Sequence, residues 1–583
     1  LIEQPLDDEL RLRAFDFHAE GLEDDEVELY RRLWHEGGSK QVDEALERGE
    51  DPRITRGLIS VRRRAFVAVA PHLSDDDLLR ALGGFSATIR RTALAELRDR
   101  GHPQVLEAAE RMFMTRNEFP QNRILGAEIL LAHDAEAWLE PLVEEGTRRG
   151  AGQDARLGLA VLIRRHGNED LYDDLVRKLT RGQDHETVFR IHALTDFEDD
   201  RYQTKLEKLL RDRSSAIRAA AIASLAEREG GGAVEALEKA LKRSDSHAEQ
   251  ARMLRSMHAV RGGDPEWVEA LVEYTRDERR EVRNAALALV AQLEEPDPLE
   301  VLLEAIDHPD WSTRQRVYSA LAERGDSAAV AAMVGRTRAE SGRLLADLEA
   351  YLWRLTGKPF GRSGRSWEAW WSAEGQGFEV MEEEELRKLE GERERRRLEE
   401  QSSAPDLFGV RIESNAVSLV IDVSGSMVEP TRTPIRGERG PQRITVAVDE
   451  IERAINSLVP TAAFNVIAFS DRVFPFAKQA QPADPATKAE ALEFVHDLRV
   501  TGGTNLHGAL VTAFDDPAVD TVIVISDGDP SMGAVIDPFA LRRVVADWNA
   551  ERELVIHTIQ IGATLPILTW LSEDSGGSSV TIP

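Results

Sequence analysis

From about residue 20 to residue 357, apolar residues recur at three- and four-residue spacing, interrupted by short Gly, Asp and Pro breaks. That pattern predicts a long succession of short helices. One phrase keeps returning. Ile217-Arg218 through Leu225-Ala226-Glu227-Arg228 aligns without gaps to Thr313-Arg314 through Leu321-Ala322-Glu323-Arg324, to Val282-Arg283 through Val290, and to Ile89-Arg90 through Leu97. Its arginine forms a ladder of Arg62, Arg90, Arg123, Arg156, Arg190, Arg218, Arg252, Arg283, Arg314 and Arg343, with steps of 28 to 34 residues. Each step has room for two antiparallel helices. In eight of the ten copies the positions four and seven beyond the arginine are apolar, so the copies at Arg252 and Arg343 fit less well. A helix pair of this size cannot bury its own apolar stripe, so the repeats must stack over residues 1–357 into an all-α solenoid. The arginines are expected to bond between adjacent repeats and their loops; a ligand-binding ladder is the competing reading.

Past Gly357 the pattern changes twice. Trp367, Trp370 and Trp371 follow Trp353 closely, and residues 358–378 are expected to close the open apolar end of the array, the alternative being an exposed aromatic patch for a partner or a glycan. Residues 379–404 carry opposite charges at four-residue spacing and predict one solvated, spacer-like helix. From residue 405 onward, short apolar runs alternate with amphipathic stretches. Strands are predicted before Asp422, over Phe464–Phe469, before Asp527 and over Leu554–Ile561, with an edge strand at Val473–Phe476. Helices are predicted over Ile444–Leu458, Ala486–Leu498, after Asn505, over Pro538–Ala550 and over Pro566–Glu573. Buried strands alternating with helices imply a doubly wound, Rossmann-like α/β domain with a mostly parallel sheet over residues 405–583.

A chain of 583 residues exceeds what one core supports, and 42% hydrophobic residues suffice for globular folding. The net charge of −31, of which about −11 falls in residues 412–583, disfavours nonspecific binding to nucleic acid or anionic membrane. Basic partners or cations suit it better. Without cysteine there are no disulfides and no thiolate chemistry. No apolar run reaches the length of a membrane span. The chain begins at Leu1 rather than Met, and a processed upstream segment would favour a secreted or periplasmic setting. The compartment is otherwise open.

The candidate chemistry lies where the predicted strands end. The run Ala416–Ile421 breaks into Asp422-Val423-Ser424-Gly425-Ser426, which sets a carboxylate and two hydroxyls on alternate residues of a tight loop. Hard divalent cations take such oxygen ligands. Gly502-Gly503-Thr504 offers a third hydroxyl in a loop before a helix, and Val522–Ser526 ends in Asp527. Taken singly, each is equally a turn residue or a helix cap. Ligands of open α/β sheets bind beyond the strand carboxyl ends, which is where Asp422 and Asp527 fall. The polar loop from Val428 to Gln442, with Arg432, Arg436 and Arg439, is a candidate selectivity loop beside them.

These motifs together resemble the metal-ion-dependent adhesion site of von Willebrand factor A (VWA) domains, with the repeats resembling HEAT repeats. The layout is similar to that of large bacterial proteins of unassigned role. The resemblance implies Asp422, Ser424, Ser426, Thr504 and Asp527 as metal ligands, Mg2+ as the usual ion with Mn2+ or Ca2+ as alternatives, and a partner protein whose Asp or Glu completes the coordination shell. Two carboxylates among five oxygens leave the ion undercompensated, which favours an incoming anion. The expected function is therefore metal-dependent protein–protein adhesion on a HEAT scaffold. An enzyme is not expected: His507 and His557 are isolated, and Ser424 has no base. The rivals are an RNA-binding protein laid out like the Ro autoantigen family, which the acidity and 6% aromatic content oppose, and a scaffold whose metal is an inert staple.

Overall fold

The structure is a computed structural model that describes residues 66–375 except 68, 85, 117, 152 and 228–230, then 378, 380–381, 384–386, 389–390, 406–407, 410–411, and 414–582 except 432–439 and 563–564. The copy at Arg62, the loop arginines Arg432, Arg436 and Arg439, and most of the expected spacer helix lie outside these residues. The described chain divides into two compact units, Leu1–Arg228 and Glu229–Pro583.

The first unit is a run of paired helices: α1 (Asp75–Ala81), α2 (Ala87–Asp99), α3 (Val105–Met114), α4 (Pro120–His133), α5 (Ala135–Thr147), α6 (Gln153–His166), α7 (Glu169–Lys178), α8 (Asp184–Ala193), α9 (Asp200–Leu209) and α10 (Ser215–Ala226). The ladder arginines sit near the start of every second helix. Their guanidinium groups reach back to carbonyls just before it, as Arg90 does to Gly84 O (2.6 Å), Arg123 to Phe113 O (2.9 Å) and Arg218 to Asp212 O (2.7 Å). Several also meet a carboxylate: Arg90 pairs with Glu118 at 2.6 Å and Arg123 with Glu145 at 2.8 Å. Carbonyls left unbonded where one helix stops are satisfied by a side chain from the next, which is the stacking task the spacing implies.

The second unit continues with α11 (Gly231–Leu241), α12 (His247–Arg261), α13 (Pro265–Tyr274), α14 (Arg280–Val290), α15 (Leu299–Ala305), α16 (Trp311–Arg324), α17 (Ser327–Arg336), α18 (Gly342–Thr356) and α19 (Gly364–Glu374). Trp367 and Trp370 of α19 are buried in one core with Leu348, Leu352 and Leu355 of α18, and Phe360 meets the Trp367 ring edge-on at 5.0 Å. The β-hairpin of β1 (Asp406–Leu407) and β2 (Val410–Arg411) follows.

Then comes a seven-stranded sheet of β3 (Ala416–Asp422), β4 (Ala463–Phe469), β5 (Val473–Pro475), β6 (Gln481–Pro482), β7 (Thr521–Ser526), β8 (Val555–Ile561) and β9 (Ser579–Ile582), in the order β5-β4-β3-β7-β8-β9 with β6 also on β4. The pairs β3–β4, β3–β7, β7–β8 and β8–β9 are parallel; β5 and β6 are antiparallel to β4. Helices α20 (Arg443–Ser457) and α21 (Pro485–His496) cover one face, and α22 (Leu506–Phe514), α23 (Pro538–Asn549) and α24 (Pro566–Asp574) the other. Every residue of β3 and of β7 is buried, as strands covered on both faces require. The molecule thus joins a helical solenoid to a doubly wound α/β domain. The two short strands β6 and β9 are additions to the elements expected from the pattern; β9 is Ser-Val-Thr-Ile, with only Ile582 fully buried, so it lacks the apolar run that marks the central strands.

The repeats of the second unit grip the amino-terminal edge of this sheet. Arg252 reaches Asp547 (2.5 Å), Arg255 pairs with Glu551, and Asn284 Nδ2 donates to Glu551 O (3.0 Å). Arg316 binds Glu553 (2.7 Å) and Ala550 O (2.5 Å), and Trp311 Nε1 donates to Pro517 O (3.2 Å). Arg343 donates to Asp520 O (2.7 Å), stacks over Trp311 at 5.4 Å and pairs with Asp347 (3.2 Å). Arg252 and Arg343 are the two ladder positions that fit the repeat least. Position four beyond Arg343 holds Asp347 where eight of the ten copies have an apolar residue, and that side chain lies near Asp520 and Glu553 of the sheet domain.

Candidate metal centre

In the strand order β4-β3-β7, the chain leaves β3 towards β4 on one side, and β7 returns on the other. The crevice beyond their carboxyl ends is the switch point of the sheet. Asp422, the last residue of β3, is fully buried there. Its Oδ1 accepts from Ser424 N (2.8 Å) and its Oδ2 from Ser526 Oγ (2.6 Å). Among the described residues no arginine or lysine pairs with it. Burial pushes its carboxyl up to about 6; the hydrogen bonds from Ser526 and Ser424 oppose this rise, and the nearby Asp527 charge adds to it.

The loop after Asp422 turns into a 3-10 segment, Gly425–Val428, fixed where Gly425 N donates to Gly502 O (3.0 Å). This turn brings Ser424 Oγ within 3.2 Å of Ser426 Oγ, and Ser426 Oγ donates to Asp527 Oδ1 at 2.7 Å. The second loop is held by Asp471, whose Oδ1 accepts from Gly503 N at 2.5 Å. Gly502 has φ +75°, and a Cβ there would meet the Asp471 carboxylate at 2.6 Å, so only glycine suits the turn. Thr504 follows, buried; its N donates to Ser531 Oγ (2.9 Å) while its O accepts from Ser531 N and Met532 N. A Cβ on Gly528 would lie 3.4 Å from Thr504 Oγ1 and 3.9 Å from Ser426 Oγ, so the two hydroxyls flank one point. The structure therefore gathers Asp422, Ser424, Ser426, Thr504 and Asp527 from three loops.

Arg443 joins the site without belonging to any of its motifs. At the start of α20, buried, it donates Nη1 to Asp527 Oδ2 (2.6 Å) and pairs Nη2 with Glu429 (2.8 Å). Its spacing from Ala447, Glu450 and Ala454 puts it on the covered face of the helix, and an arginine on such a face calls for a carboxylate. Ser526, Asp471 and Ser531 are likewise additions, each orienting a ligand candidate or its loop. His507 stands away from this chemistry, edge-on to Trp548 at 5.5 Å, and His557 Nδ1 accepts from Ser578 N in the sheet.

The donor set is two carboxylates and three hydroxyls, all hard oxygens, and among the described residues the buried Asp422 carboxylate is held by neutral donors. That composition fits a hard divalent cation.

Residues 415–581 match the family described as von Willebrand factor type A domain, and residues 268–351 match HEAT repeats. The chain is similar to inter alpha-trypsin inhibitor, heavy chain 4 of Mus musculus, 23% identical over 176 residues, covering 28% of this chain and 17% of that protein. Against the Homo sapiens inter-alpha-trypsin inhibitor heavy chain H4 it is 26% identical over 129 residues, 20% of this chain and 13% of the relative. It thus spans less than a fifth of the curated relatives it matches. Among solved structures, the von Willebrand factor type A protein from Catenulispora acidiphila aligns with TM-score 0.25 at 22% identity, over 30% of this chain and 39% of that one. Kap121p aligns with TM-score 0.30 at 11% identity, over 64% of this chain and 49% of that one.

Proposed function

We propose that this VWA domain, carried behind a HEAT-repeat scaffold, captures a partner protein through a metal ion held by Asp422, Ser424, Ser426, Thr504 and Asp527. Mg2+ is the favoured ion, with Mn2+ or Ca2+ as alternatives, and it supplies a Lewis-acidic point that attracts an Asp or Glu of the partner. The observation that carries this reading is the convergence of the oxygen-bearing side chains of these five residues beyond the carboxyl ends of β3 and β7 around a buried acid, Asp422, on which no arginine or lysine lies among the described residues. The other residues prepare the loops. Ser526 and the Ser424 amide aim the Asp422 carboxylate; Arg443 holds one oxygen of Asp527 and leaves the other to Ser426; Asp471 fixes the turn that delivers Thr504.

The test is capture of partners from extract with Mg2+ and with EDTA, read by mass spectrometry, alongside calorimetric titration of Mg2+ and Mn2+ into the isolated protein. Native protein should take up one ion and lose its partners in EDTA, while Asp422→Ala stays folded, takes up no ion and captures nothing. Folded native protein that binds neither metal, or partner capture indifferent to EDTA and to Asp422→Ala, would sink the proposal.

A further inference from the structure

The chain orients the two acids of the metal centre by different means. Asp422 is aimed by neutral donors, the Ser424 amide and the Ser526 hydroxyl. Asp527 already has such a donor in Ser426, which reaches its Oδ1 at 2.7 Å, and nevertheless carries Arg443 on Oδ2 at 2.6 Å. Orientation therefore does not require the guanidinium's charge. The Asp527 side chain is fully buried and that of Arg443 is 10% exposed, so water screens this pair little. The guanidinium is also hemmed in: a Cβ on Gly562, just past β8, would meet its Nε at 2.8 Å, and that buried Nε has no acceptor among the described residues. Its other end pairs with Glu429, whose side chain is 60% exposed and whose charge water screens. A fixed positive charge thus lies directly behind one of the two carboxylates offered to the ion.

We infer that Arg443 sets how affinity is divided between ion and partner at this centre: its charge weakens the hold on a divalent cation and strengthens the hold of the loaded centre on an acid. This rests on the acid-capturing reading and adds to it the residue that tunes it. Arg443 offsets the charge of Asp527, so of the two acids only Asp422 faces a cation with its charge uncompensated among the described residues. Positive charge beside the site opposes loading, and the same excess draws a carboxylate once the site is loaded. Ion and acid then bind cooperatively, each supplying the charge that favours the other. A role confined to holding Asp527 in place predicts the opposite sign: without Arg443, the ion would bind more weakly.

The test measures Mg2+ affinity by calorimetry on the full chain, and at saturating Mg2+ the affinity of the blocked peptide Gly-Ser-Asp-Ser-Gly by fluorescence anisotropy. Arg443→Gln keeps a donor for Asp527 and removes the charge; it should bind Mg2+ about tenfold tighter and the peptide about fivefold more weakly. Arg443→Lys keeps the charge and should stay within about twofold of native protein on both. Glu429→Gln, at an exposed position, frees the guanidinium of its second acid and should shift both affinities about twofold in the sense opposite to Arg443→Gln. Mg2+ affinity unchanged or weaker in Arg443→Gln, or peptide affinity that does not fall, would overturn the inference. Should Arg443→Gln fail to fold, Glu429→Gln decides alone, and unchanged or reversed shifts there overturn it. Native protein separates the two levels of failure. If it binds no ion, or binds the ion and no acid, the acid-capturing reading falls; if it binds both and the variants match it, only the role of Arg443 is wrong.

Discussion

The two ends of the sheet in the VWA domain both bury polar groups, yet they solve the resulting problem in opposite ways. At the amino edge, cations from the repeats meet carbonyls and carboxylates of the sheet domain: Arg343 on the buried Asp520 O, Arg316 on the half-buried Glu553 and on Ala550 O, Arg255 on the buried Glu551. At the carboxyl rim, Asp422 is as deeply buried, but its partners are a hydroxyl and an amide. Arginines of the repeats close the first end, whereas among the described residues none lies on Asp422 at the second. The docking edge and the proposed cation site thus differ in who would bring the positive charge, and each can be broken separately.

The largest effect is expected where the closed end is opened. Arg343→Ala removes the donor to Asp520 O and the counter-ion of Asp347 together, leaving a buried carbonyl without its donor and the half-buried Asp347 without its cation. The two losses together cost about 3 to 4 kcal/mol. Thermal unfolding should show the loss, with no change in Mg2+ uptake at the far rim. Arg343→Lys should recover less than half, since an ammonium does not span both acceptors as a guanidinium does. If Arg343→Ala melts with the native protein, the repeats do not hold the sheet through this contact.

The rim was largely legible in the sequence and the docking edge was not. Asp422, Thr504 and Asp527 follow apolar runs or glycine pairs, so local pattern alone put them at strand ends and loops, and strand alternation put those ends on one side of the sheet. Arg443 escaped because its role depends on Asp527, 84 residues away, and only its place on the covered face of α20 hinted at it. The docking residues left a faint trace: Arg252 and Arg343 broke the repeat, but the reason lies at Asp547 and Asp520, beyond any local window. Regular repeats are readable because neighbours constrain one another; departures from them mark a contact without naming it.

A second, smaller effect is expected at the rim itself. Arg443→Met removes the cation from Asp527 and leaves two carboxylates facing each other without compensation, which should lower stability by about 2 to 3 kcal/mol in EDTA. Saturating Mg2+ should then raise the melting temperature more in the variant than in the native protein, since the ion takes over the charge that Arg443 carried. An equal Mg2+ effect in both proteins would mean that Arg443 and the ion do not act on the same carboxylate.

The smallest effect tests whether the closed end is as well balanced as its arginines suggest. Burial pushes the Asp347 carboxyl up to about 6, Arg343 opposes this, and Asp520 and Glu553 on the sheet side add to it. Above pH 7 Asp347 is charged in both folded and unfolded chains, and the fold bears the burden of the buried charge. As pH falls through 6 the folded state takes up the proton, while the unfolded chain waits until about 4, so this group makes the protein more stable over that window. His557 works in the opposite direction: burial holds its folded value down at about 4, so stability is lost as pH falls below about 6.5. The raw stability curve mixes the two, and the informative quantity is the difference between Asp347→Asn and the native protein. The variant should be more stable by about 1 to 2 kcal/mol at pH 8, a figure reduced for the partial exposure of the side chain, and the difference should vanish near pH 4. A variant less stable than the native protein at pH 8 would show that the Arg343–Asp347 pair repays its burial, and that the repeats grip the sheet without a strained acid at the contact.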